Sequence, residues 1–130
     1  MKALNQEDVR SVKERLEVLI ARIETILTFS DRDSSQFNLD RARYLFRDLK
    51  DHFEQEARRM DTVKGIATLS PAEQAWYAPA VREAGAKSIG PARIDQQQQN
   101  WRKLLIEAAS EIRWHLDNIK SSQKPAADTK

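Results

Sequence analysis

Apolar residues recur along most of this chain at helical spacing. Val9, Val12, Leu16, Leu19, Ile23 and Ile26 follow one another at steps of three and four, which puts them on one stripe of a helix that packs against another. Ile20 and Leu27 widen the stripe, as a bundle requires. The pattern predicts a helix over 6–27. Asn5 is its cap, and Glu7 and Asp8 lie in the first turn, where carboxylates favour the helix dipole. The helix should stop near Phe29-Ser30, and the polar stretch 30–36 reads as a loop.

A second stripe, Leu39, Ala42, Phe46, Leu49, Phe53, Ala57 and Met60, flanked by Tyr44 and Leu45, predicts a helix from Asn38 to Val63. Asn38 is the expected cap, and Gly65 the expected C-terminal stop. Ser70-Pro71-Ala72-Glu73 then places a capping serine, a proline at the first helical position and a glutamate three residues after the cap, which is a capping box. The predicted helix covers Ala72–Ala78. Pro79 should break it, leaving Ala80–Ala86 as a kinked or separate piece closed by Gly85 and Gly90-Pro91. The last stripe, Ile94, Gln98, Trp101, Leu105, Ala108, Ile112, His115 and Ile119, predicts the longest helix, Pro91–Lys120, roughly 45 Å at 1.5 Å per residue.

These elements predict an all-α fold, an antiparallel helical bundle of three long helices plus one short helix broken by proline. Residues 1–120 form its single domain, and 121–130 should be a flexible tail. Composition agrees: there are only three Gly and four Pro, too few for a turn-rich β fold. Leu, Ile, Val and Phe account for 29 of 130 residues, just above the roughly 20% below which charged chains are usually disordered. The core should therefore be narrow.

Charge narrows the partners. Lys and Arg number 22 against 20 Asp and Glu, with the signs interspersed. Duplex binding favours clustered cations that displace counterions. The most basic stretch, Arg41, Arg43, Arg47, Arg58 and Arg59, also contains Asp40, Asp48, Asp51, Glu54 and Glu56. Spacings of four (Arg47–Asp51, Lys50–Glu54, Glu54–Arg58) suit ion pairs along a solvated helix face. The absence of cysteine excludes disulfides and thiolate chemistry. The start of the chain lacks the apolar stretch of a signal peptide, and no run suits a membrane span. A soluble cytoplasmic protein is expected.

Candidate chemistry is sparse. Neither His52 nor His115 follows a glutamate by three positions, so the Glu-x-x-His pairs of a carboxylate-bridged di-iron bundle are missing. Asp48, His52 and Glu56 share a helix face but read as a solvated charge ladder. His115 sits on the core stripe with Glu111 one turn earlier, and the two could define a small pocket. No metal or cofactor is expected. Aromatic placement is the remaining signal, because Trp and Tyr are enriched at the centres of protein interfaces. Trp76, Tyr77, Arg82 and Trp114 are the candidate partner-binding residues, although Trp76 and Tyr77 could instead complete the core. The expected function is non-enzymatic protein–protein interaction, with another protein or with itself as a homodimer. The alternatives are a nucleic-acid accessory factor using the five arginines above, and a ligand-binding protein or enzyme with a pocket at Glu111 and His115.

Overall fold

The computed structural model describes residues 5–89 and 98–122. The fold is all-α. Its elements are α1 (Gln6–Phe29), α2 (Gln36–Met60), the short α3 (Val63–Ala67), α4 (Ala78–Ala84) and α5 (Gln98–Ser122), with π-helical turns at Glu73–Tyr77 and Gly85–Ile89. α1 packs on α2 and α5, and α4 with its flanking π turns packs on α5 and α2. Four rods thus enclose one core. At its centre the rings of Phe46 and Trp101 stack with centroids 5.3 Å apart, and both side chains are buried.

α1 follows the expectation closely, because its signals are local. The Asn5 side chain accepts from the N–H groups of Glu7 at 2.8 Å and Asp8 at 3.2 Å, and the whole predicted stripe is buried. Its two ends are also held from elsewhere in the fold. Arg102 of α5 donates to the Leu27 carbonyl and to Ser30 Oγ, both at 2.6 Å. A cation therefore meets the negative end of a helix that has no basic residue in its own last turn. At the other end, Asp8 accepts from Ser70 Oγ at 2.8 Å and from the Ala72 N–H at 3.3 Å.

Four expectations need correction. α2 starts at Gln36 rather than Asn38, because Ser35 is the cap and accepts from the Asn38 N–H at 3.2 Å. α2 also ends at Met60 rather than Val63. Thr62 is extended there and accepts from the Gly65 N–H at 2.8 Å, which starts α3. Gly65 thus lies inside a new helix and is not a stop. A Cβ at that position would overlap the Arg59 carbonyl oxygen, so only glycine lets α3 fold back this tightly.

The third correction concerns Pro79, which does not break its helix. The helical run continues from Pro71 to Ile89, and the Ala78 N–H reaches back five residues to the Glu73 carbonyl. In an ordinary helix the proline ring collides with the carbonyl four residues earlier. The wider π turn immediately before Pro79 relieves that collision. Gly85, expected to close this region, instead opens the second π turn. A Cβ there would lie 3.0 Å from Phe53 Cδ1, so the missing side chain lets this turn rest on α2. Finally, α5 runs through Ser122, two residues into the expected tail. Its predicted start (Pro91 and Ile94) and tail residues 123–130 lie outside the described residues.

Candidate functional site

The most connected polar group ties together α1, α2 and the run that follows Ser70. The capping box forms reciprocally: the Ser70 N–H donates to Glu73 Oε1, and the Glu73 N–H to Ser70 Oγ, each at 3.1 Å. The second oxygen of Glu73 takes the Arg15 guanidinium at 2.8 Å. Arg15 also approaches Glu56 at 3.4 Å and lies over the Tyr77 ring, 3.9 Å from its centroid. Tyr77 donates its hydroxyl to Glu56 at 2.7 Å. Arg59 completes the group, 3.1 Å from Glu56 and 3.7 Å from Glu73.

The electrostatics make this group a lock. Burial would raise the Glu73 carboxyl, but the hydrogen bonds from Arg15 and the Ser70 backbone outweigh it and hold the group below its ordinary value. Burial, reinforced by the bond to Glu56, pushes the Tyr77 phenol up to about 12. Burial would lower Arg15, yet its bond to Glu73 raises it on balance. Each shift moves away from neutrality, whereas a general acid or base needs a value near the working pH. At neutral pH, Glu73 and Arg15 stay charged and Tyr77 stays protonated.

His52 adjoins this group. Asp48, His52 and Glu56 were expected to form a solvated ladder, but His52 and Glu56 are half-buried against α1. Arg22 of α1 reaches Asp48 at 3.9 Å, and His52 packs edge-on against Phe53. Burial, with Arg22 as the next cause, holds the His52 imidazole below its ordinary value. A hollow of about 330 Å³ lies beside it, lined in part by Arg15, Val18, Arg22, His52 and Tyr77. A second hollow of about 310 Å³ lies between α2 and α4, with Phe53, Val81 and Ile89 in its wall and Arg82 at its rim. Neither includes Glu111 or His115, where the sequence suggested a pocket.

The four candidate interface residues separate. Tyr77 is buried inside the Arg–Glu group. Trp76 is half-buried against the core, and its Nε1 has no hydrogen-bond partner among the described residues. Arg82 donates to the Met60 carbonyl at 3.0 Å. Trp114 is 59% exposed and stands edge-on to His115. His115 itself is buried, and its Nε2 lies 2.9 Å from Glu83 of α4. The residue that engages the imidazole is therefore Glu83 from across the helix interface, with Glu111 alongside. Only packing reveals this, since Glu83 and His115 are distant in sequence.

The five arginines of the nucleic-acid alternative do not line one stripe. Arg43 pairs with Asp40 at 3.8 Å and Arg58 with Glu54 at 3.7 Å. Arg59 turns into the Glu56–Glu73 group, and Arg41 covers the Phe29 ring at 5.3 Å. Arg47 is exposed on the outer face of α2.

That face also carries two exposed aromatic rings. Phe37 is 72% and Tyr44 is 70% exposed. They are seven residues apart, so both lie on one line of the helix, opposite Ala42, Phe46 and Leu49. The spacing is visible in the sequence, but the stripe pattern alone places Tyr44 at the flank of the core. Comparison with known protein families, curated proteins and solved structures returns no match. No helix among the described residues is long and apolar enough to cross a membrane.

Proposed function

We propose that this chain is a non-enzymatic interaction module, with the outer face of α2 as its contact surface and a second copy of the chain as its partner. The observation that carries this reading is the exposed Phe37–Tyr44 line. Aromatic rings bury large area at small cost in side-chain freedom, and they are enriched where interface energy concentrates. A folded protein gains nothing by holding two such rings in water.

Charge order along α2 supports a second copy. Consider two α2 helices packed with opposite directions about a two-fold axis between Arg47 and Asp48. Arg47 then faces Asp48 of the other copy, Arg41 faces Glu54, Tyr44 faces Asp51, and Phe37 faces Arg58. No like charges meet among these pairs, and all eight residues are exposed. A two-fold contact of this kind is the commonest closed assembly. One helix pair buries less than the roughly 1,200–2,000 Å² of a stable complex, so the dimer is weak and depends on concentration. A cytoplasmic setting fits a chain without cysteine.

The test is sedimentation equilibrium over a wide concentration range. The wild-type chain should show a monomer–dimer equilibrium, and Phe37→Ser/Tyr44→Ser should be monomeric with unchanged helical content. A wild-type chain that stays monomeric at millimolar concentration, or a double variant that dimerises as well as wild type, would defeat the proposal.

A further inference from the structure

We propose that Glu83, Glu111 and His115 form a binding site for a divalent transition-metal ion of the zinc type, which clips α4 to α5. One ligand atom from each residue lies within 4.8 Å of the other two. Glu111 and His115 are four apart on α5 and so project from the same helix face. Glu83 comes from α4 and already touches His115 Nε2 at 2.9 Å. The imidazole is buried, and the two carboxylates are half-buried. Zinc bonds to imidazole nitrogen and carboxylate oxygen run about 2.0–2.2 Å, which places tetrahedral ligand atoms about 3.4 Å apart. Metal entry must widen the 2.9 Å Glu83–His115 contact to that size, while the other ligand atoms already lie within 4.8 Å.

The donor set selects the ion. Two carboxylates and one neutral imidazole balance a doubly charged cation. A nitrogen donor favours zinc, nickel or cobalt over magnesium and calcium, which prefer oxygen alone. Three protein ligands leave a fourth position open to water, the arrangement of an open zinc site. The site lies on α4 and α5, so it stands independently of the proposed contact through α2.

Trp114 supplies an optical reporter, since its ring centroid lies 4.9 Å from that of His115. Untagged full-length protein, stripped with chelator, should bind one Zn²⁺ by calorimetry, and its thermal midpoint should rise on adding Zn²⁺. Ni²⁺ or Co²⁺ alone should quench tryptophan fluorescence saturably, and Trp114→Phe should remove most of that quenching. His115→Asn perturbs a buried position, so Glu83→Gln and Glu111→Gln, both at half-buried sites, are the deciding variants. Each should weaken Zn²⁺ binding by about tenfold or more, and each should lose the Zn²⁺-induced rise in thermal midpoint measured against that variant's own metal-free midpoint. Wild-type affinity in the Glu83→Gln/Glu111→Gln double variant, or no Zn²⁺ binding by the wild-type chain, would overturn the proposal.

Discussion

Glu73 takes part in a local cap and in a long-range ion pair at once, and the two roles are unequally visible in the sequence. The cap follows from Ser70 three residues earlier and is a property of one turn. The pair with Arg15 exists only because α1 crosses that turn in the folded chain. The same division applies to His115: its place on the core stripe was legible from spacing, but its contact with Glu83 depends on how α4 meets α5. The Glu73 carboxyl is held below the ordinary value in the fold, so the folded state gives up this proton more readily than the unfolded chain. The stability this group contributes is fully present above the ordinary carboxylate range and is lost as pH falls through the lowered folded value. Glu73→Gln should cost about 1 kcal/mol at neutral pH. It should also flatten the loss of stability on acidification, read as urea midpoints from about pH 7 to about pH 3.

At the scale of elements, helix existence was readable and helix termination was not. Apolar periodicity reports which residues face a core, and that survives folding in α1, in α2 at Ala42, Phe46, Leu49, Phe53 and Met60, and in α5 from Trp101 onward. Termination depends on competition between neighbouring caps. Ser35 prevails over Asn38 at the start of α2, and Thr62 divides what the pattern joined. Pro79 shows the strongest effect of context, since a π turn lets the helical run continue past an expected break. If that turn already accommodates the ring, Pro79→Ala should change stability by less than about 1 kcal/mol in either direction. A gain of about 3 kcal/mol, the usual cost of proline inside a regular helix, would show that the ring strains the rod. Arg102→Met keeps most of the apolar stem but removes the bonds to the Leu27 carbonyl and Ser30 Oγ. It should cost about 1.5–3 kcal/mol, the range for hydrogen bonds to a charged group. Amide exchange should quicken first in the last turn of α1.

For the whole molecule, the near-equality of positive and negative residues acquires a spatial meaning. Part of it is used between helices, where Arg15, Arg22 and Arg113 reach Glu56, Asp48 and Glu24. On α2 the exposed charges fall in blocks, positive at Arg41, Arg43 and Arg47 and negative at Asp48, Asp51 and Glu54, an order complementary to its own reverse on which the proposed pairing rests. Association through this face should weaken with salt, though less than binding to a nucleic-acid backbone would, because few pairs are involved and the two rings contribute an apolar share.

The most direct measurement mixes two variants that should each be unable to pair with themselves. Arg47→Asp sets aspartate against Asp48 in the proposed dimer, and Asp48→Arg sets arginine against Arg47. Each variant alone should sediment as a monomer where the wild-type chain dimerises. An equimolar mixture should recover a heterodimer, because every opposed pair at the axis is again of unlike charge. Recovery in the mixture is the result predicted here. Monomers in the mixture, or undiminished dimerisation by either variant alone, would contradict the placement of the interface on α2.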